Sequence, residues 1–138
     1  IGVDENVIIN IDELENAIKP ETILISVMFA NNEIGTVEPI RKIGEIARKN
    51  NIYFHTDAVQ AVGNLKIDVQ ELNIDSLSLS AHKLYGPKGI GALYVKTGVN
   101  FEKYISGGHQ ERNKRSGTEN VAGIVGLRKS NRDSRFNN

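Results

Sequence analysis

The chain has 138 residues, and its 17 lysines and arginines balance its 17 aspartates and glutamates, so the formal net charge is zero. That balance argues against a dedicated nucleic-acid or membrane-surface protein, and 39% apolar with 25% charged residues describes a globular chain of one-domain size. The absence of cysteine excludes a disulfide framework, a thiolate metal site and a cysteine nucleophile from these residues.

In chain order, Asn10 is placed to cap a helix, with Glu13 three residues on as in a capping box. Ile11, Leu14, Ala17 and Ile18 then share one helical face, and Pro20 closes the segment. Residues 22–29, TILISVMF, form a short apolar run of the length of a buried strand. A polar loop, Ala30 to Glu38, follows. Pro39 opens the next helix, where a missing N–H costs nothing. Ile40, Ile43, Ile46 and Ala47 are its apolar stripe, and it ends near Asn50–Asn51.

Residues 52–56, IYFHT, read as a second strand ending at Asp57. A short helix is expected from Asp57 to Val62, with Gly63 as its stop. Residues 75–80, DSLSLS, alternate as a third strand, and 89–95, GIGALYV, form a fourth. A last helix is expected from Glu119 to about Leu127. No apolar run is long enough to span a membrane, and no basic-then-apolar export signal opens the chain. Because the chain starts with Ile1, it is expected to be an excised or incomplete piece.

Strands alternating with helices predict an α/β fold with a mainly parallel sheet. Ligands of such sheets bind outside the carboxyl ends of the strands. Three polar segments occupy those positions: Ala30–Gly35, Asp57–Gln60 and Ser80–Gly86.

In Ser80-Ala81-His82-Lys83, a desolvated lysine would be a Schiff-base amine, and its neighbours would bind a phosphate. A solvated loop lysine is the plainer reading of the tetrapeptide alone. In His55-Thr56-Asp57-Ala58-Val59-Gln60, a strand-end carboxylate can hold a cationic ring nitrogen, with Gln60 one turn further along. Asp57 as a helix cap explains the same residues. His55-x-Asp57 as metal ligands lacks a third partner. Asn31-Asn32-Glu33-Ile34-Gly35 offers side-chain amides to a ligand, or is an ordinary turn. Gly86-Pro87-Lys88-Gly89-Ile90-Gly91 precedes a strand and has no Lys-Ser/Thr pair at the required spacing. It is therefore neither a dinucleotide fingerprint nor a Walker loop, and is read as a turn. Arg112, Lys114 and Arg115 before Ser116-Gly117-Thr118 make either an anion site near a helix start or a solvated basic loop.

Taken together, NNEIGT (31–36), FHTDAVQAVG (54–63), SLSAHKLYGPKGIGALYV (78–95) and GGHQERNKRSGTEN (107–120) resemble the cysteine desulfurases, the NifS/IscS-like branch of the class V aminotransferase family. The likeness runs over roughly residues 20 to 127, and the RSGTEN form is nearer to NifS and IscS than to the SufS-like group. The resemblance implies a three-layer α/β/α sandwich, part of the large domain of a fold-type I transferase that uses pyridoxal 5′-phosphate (PLP). Lys83 matches the lysine bonded to the cofactor, and Asp57 the partner of its ring nitrogen. Gln60 and Asn32 match side chains near its phenolate oxygen, and Ser80 and His82 match phosphate ligands. Thr118 matches the threonine that reaches the phosphate of a partner subunit's cofactor. No metal is implied.

The implied protein is a cytoplasmic homodimer that converts L-cysteine to alanine and leaves the sulfur as an enzyme persulfide. That sulfur serves a scaffold or carrier protein for iron–sulfur clusters and thio-cofactors, without nucleic acid or membrane. Four functional parts of the family fall outside this sequence: the phosphate-binding Gly/Thr loop, the stacking histidine, the acceptor cysteine and the carboxylate-binding arginine. The chain is thus expected to be an incomplete catalyst, with 1–127 a partial PLP-binding domain and 128–138, RKSNRDSRFNN, a divergent tail outside the fold. A selenocysteine lyase, an aminotransferase and a non-catalytic α/β binding fragment are the alternatives.

Overall fold

The computed structural model describes residues 1–134. Four strands form one sheet in the order β1 (Leu24–Met28), β2 (Tyr53–Asp57), β3 (Ser76–Ser80), β4 (Gly91–Val95). β1 and β2 are parallel, as are β2 and β3, and β4 runs antiparallel to β3. Connection length explains the directions. The link from β1 to β2 holds helix α2 (Ile40–Lys49), which carries the chain back for a parallel crossover. The link from β3 to β4 holds only a 3₁₀ turn, Ala81–Leu84, and a glycine-rich loop, too short for a crossover.

The core forms on one face of the sheet. Ile25, Phe54 and Leu77 alternate inward and meet Ile40, Ile43, Ile46 and Ala47 of α2. Helix α1 (Ile11–Ala17) contributes Leu14 to the same cluster. On the other face Leu24, Tyr53 and Leu93 are about half exposed, and Ser26 Oγ pairs with His55 Nδ1 at 2.8 Å. The expected mainly parallel α/β sheet layered with helices is present.

α2 packs closely on the loop before β3. A Cβ added at Gly44 would sit on the carbonyl oxygen of Leu72. Alanine gains about 1 kcal/mol of helix propensity over glycine, while overpacking costs roughly 1–3 kcal/mol. Gly44→Ala is therefore expected to lower stability by up to about 2 kcal/mol, read as a lower urea midpoint; a raised midpoint would show that the loop yields freely.

The expected capping box is half made. Glu13 N–H donates to Asn10 Oδ1 (3.1 Å), but the Glu13 carboxylate turns away to the Gly2 N–H (2.7 Å). Pro39 is the N-cap of α2 and not its first helical residue. The helix expected from Asp57 to Val62 is a single turn, held by the Ala61 and Val62 N–H groups on the Ala58 carbonyl. Gly63, at φ +85°, ends it before a second turn can offset the cost of starting a helix.

A four-residue helical stretch, α3 (Gln110–Asn113), precedes the last helix, and that last helix runs further than expected. α4 spans Val121–Ser134, and Lys129 pairs with Asp133 at 2.8 Å, an i,i+4 contact that suits a polar helix. Ser130 is buried and its Oγ–H donates to the Leu127 carbonyl (2.9 Å), so 128–134 continue the helix past the residue where the sequence pattern ended it. Residues 135–138 of the expected tail lie outside the described residues.

Candidate active site

The three strand-end segments come side by side, because β1, β2 and β3 are neighbours and their carboxyl ends point the same way. In register, Met28, Asp57 and Ser78 form one row across the sheet.

Asp57 is the last residue of β2 and half-buried. Its Oδ1 accepts the Val59 N–H at 3.0 Å, a bond that turns the chain sharply and orients the carboxylate. Its Oδ2 makes no hydrogen bond within the described residues. Gln60 stands on the single turn that follows. Asn32 is exposed in the loop after β1, and neither of these two side-chain amides is hydrogen-bonded among the described residues. That loop is shaped by its neighbour Asn31, whose Oδ1 accepts the Glu33 and Ile34 N–H groups at 2.8 and 3.1 Å. Asn32 and Gln60 line one open cavity of about 500 Å³, together with Ile34, Asn64 and Leu65.

Ser80 closes β3, and its Oγ pairs with His82 Nδ1 at 2.7 Å. The 3₁₀ turn then places residues three apart on one side. Ala81 and Leu84 are buried and anchor it, so His82 and Lys83 face outward. The Lys83 ammonium has no ion-pair partner among the described residues. Helix α4 buttresses this turn. A Cβ at Gly86 would lie 2.8 Å from Ser130 Oγ, and one at Gly126 would lie 2.6 Å from Pro87 Cγ.

The structure thus brings Asn32 and Gln60 to one cavity, with Asp57 three residues from Gln60 and Ser80, His82 and Lys83 at the adjoining strand end. Lys83, Ser80 and His82 do not line that cavity. Thr118 does not line that cavity either; it is exposed in the loop before α4, and its hydroxyl is not hydrogen-bonded among the described residues. Of the three cations before it, two are engaged elsewhere: Lys114 Nζ sits 4.9 Å from the centre of the Phe101 ring, and Arg115 donates to the Ser116 carbonyl at 2.9 Å. Glu111, Arg112 and Asn113 before it all have positive φ, 49°, 56° and 65°. Nothing in the composition of that stretch announced a left-handed turn. Asn64, the buttress by Gly126 and Ser130, and the Ser26–His55 pair also went unnoticed in the sequence. Only the Gly63-Asn64 pair after a short helical signal could have drawn attention.

An α/β sheet with an unpaired lysine, a strand-end carboxylate and two free amides at adjoining strand ends has the layout of a ligand-binding sheet edge. The profile of the family described as Aminotransferase class-V matches residues 1–132, and the chain belongs to that family. It is 63% identical over 130 residues to a protein of Clostridium botulinum (strain Hall) named Cysteine desulfurase IscS, covering 94% of this chain and 33% of that relative. The solved structure titled "SspA in complex with cysteine" superposes with a TM-score of 0.91 at 47% identity, over 94% of this chain and 38% of that one. A NifS-like protein from Rickettsia africae superposes with a TM-score of 0.93 at 34% identity, over 99% and 39%. The chain spans about a third of the length of the curated relatives it matches. No helix among the described residues is long and apolar enough to cross a membrane.

Proposed function

We propose that this chain is the cofactor-binding part of a PLP-dependent cysteine desulfurase, an incomplete catalyst by itself. The carrying observation is the unpaired Lys83 amine on the turn that follows β3, with β3 paired to the β2 strand that ends in the oriented Asp57 carboxylate, in a chain 63% identical to a protein named as such a desulfurase.

The residues fit the cofactor. The unpaired Lys83 amine is free to bond a carbonyl carbon and, once released, to move a proton at the substrate carbon. Asp57, pinned through Oδ1 by Val59, keeps Oδ2 for a ring N–H and so holds that proton in place. Gln60 and Asn32 hold free amide donors for an anionic ring oxygen. The Ser80 hydroxyl and His82 ring are paired with each other, and the hydrogen that the pair does not use is left as a donor to a phosphate. Bound PLP supplies an electron sink for the carbanion left when the substrate loses its α-proton.

On this reading L-cysteine is the substrate, the sulfur passes to a protein thiolate outside this chain and then to a scaffold or carrier protein, and the working unit is a cytoplasmic homodimer. Thr118, exposed and outside the cavity that Asn32 and Gln60 line, serves the cofactor of the second subunit. Residues 1–127 are the partial domain, and both the family match and the helix run a few residues past Leu127.

The test compares the 138-residue chain with a chimera in which it replaces the matching third of a related cysteine desulfurase. With PLP and cysteine, the chimera is expected to form alanine and sulfide at about 1 per second or more, and the chain alone no faster than its Lys83→Ala variant with free PLP. A chimera without cysteine-dependent alanine overturns the desulfurase reading. Lys83-dependent turnover by the chain alone overturns its incompleteness.

A further inference from the structure

We propose that Asn64 is a positioning residue for the cofactor, acting through Gln60; this rests on the PLP reading above. The Asn64 Nδ2–H donates to the backbone carbonyl of Gln60 at 3.0 Å, and Asn64 itself lines the cavity that Gln60 and Asn32 line.

The bond matters because the element carrying Gln60 is so short. A single helical turn leaves most of its carbonyls without intrahelical partners. Here the Ala58 carbonyl receives the Ala61 and Val62 N–H groups, and the Ala61 carbonyl receives the Asn64 and Leu65 N–H groups. The Gln60 carbonyl receives a side chain instead. Gly63, at φ +85°, swings the chain so that Asn64 can reach back four residues. A Val62–Leu65 bridge closes the loop behind it. From the other end, the Asp57 carboxylate holds the Val59 N–H. Gln60 is thus clamped between a bond from Asp57 and a bond from Asn64, with its own amide left free.

The consequence is specific. Gln60 acts on a ligand only if its backbone is held, since a loose turn spends binding energy on ordering the side chain. Losing the Asn64 donor should therefore act on the cofactor as a weaker form of losing Gln60. Asn64→Asp keeps the shape but removes the N–H donor and sets a carboxylate oxygen against a carbonyl oxygen. Asn64→Ala removes both.

The experiment has two arms. In the first, amide hydrogen exchange is followed in the 138-residue chain without PLP. Segment 58–65 is expected to exchange about tenfold faster or more in both variants, while α2 and β3 keep their protection. Unchanged exchange in 58–65 overturns the proposal, and uniform acceleration over α2 and β3 overturns it in favour of a role in global stability. In the second arm, the chimera is saturated with PLP, the spectrum of its Lys83→Ala variant is subtracted, and the pH midpoint of the remaining band is read. Both Asn64 variants are expected to move the midpoint in the same direction as Gln60→Ala. Faster exchange with an unmoved midpoint makes Asn64 a turn cap alone and overturns the role toward the cofactor. A parent chimera with no Lys83-dependent band overturns the PLP reading, and this proposal with it, before any Asn64 variant is compared.

Discussion

Lys83→Ala in the chimera is expected to abolish two signals together, the absorption band of the lysine-bound cofactor and cysteine-dependent alanine formation. On the proposed reading the amine is the group that bonds the cofactor and moves the substrate proton, and no neighbouring amine stands on that turn: Ala81 and Leu84 are buried and His82 is paired with Ser80. Rate losses for removing such a group reach many powers of ten, about 1.4 kcal/mol of barrier each. Lys83→Arg is expected to fail as completely, because a guanidinium stays protonated and is no nucleophile. The turn itself should survive either change, since its buried anchors are untouched and Lys83 is exposed. A Lys83→Ala chimera that keeps both the band and turnover refutes the assignment.

Asp57→Asn is the second large effect. The substitution preserves size and can still accept the Val59 N–H, so the turn and Gln60 stay in place. What is lost is the negative charge that, on the proposed reading, would hold a proton on the ring nitrogen and so support the cofactor as an electron sink. PLP binding is expected to weaken modestly while kcat falls by about a hundredfold or more, roughly 2.7 kcal/mol of barrier. A rate within about threefold of the parent, under roughly 0.7 kcal/mol, removes the electron-sink role from Asp57. The pairing of the two variants is informative. Lys83 removes the bond, Asp57 leaves the bond and removes the electronic assistance, and only a cofactor held at both ends gives that pattern.

Much of this site was legible without coordinates because its chemistry sits at strand ends, and short strands announce themselves. TILISVMF, IYFHT and DSLSLS are apolar or alternating runs followed at once by polar residues. The general rule for parallel sheets then points to the residues just after them. Asp57, Ser80 and Lys83 follow from that logic, and their roles from the resemblance. The short helix after Asp57 was misjudged, because local propensity registers a helical start but not the Gly63 geometry that ends it after one turn. The end of α4 was misjudged for the opposite reason. RKSNRDS lacks an apolar stripe, yet the Lys129–Asp133 pair and a buried Ser130 against the Lys83 turn carry the helix on.

By itself, then, the sequence determined the alternation of strands and helices, the sheet class, the inward face of α2 and the identity of the strand-end groups. These depend on periodicity and on residue chemistry, both of which are local. Only the tertiary structure decided which strand lies beside which and that β4 turns back against β3. It alone decided that Asn32 and Gln60 share a cavity, that α4 braces the lysine turn through Gly126 and Ser130, and that Asn64 reaches back to Gln60. The physical reason is common to all of them. Each is settled by loop length and by close approach between segments distant in the chain or folded back on themselves. Such contacts leave no period in the sequence, because a single glycine or amide at the right place is enough to make them.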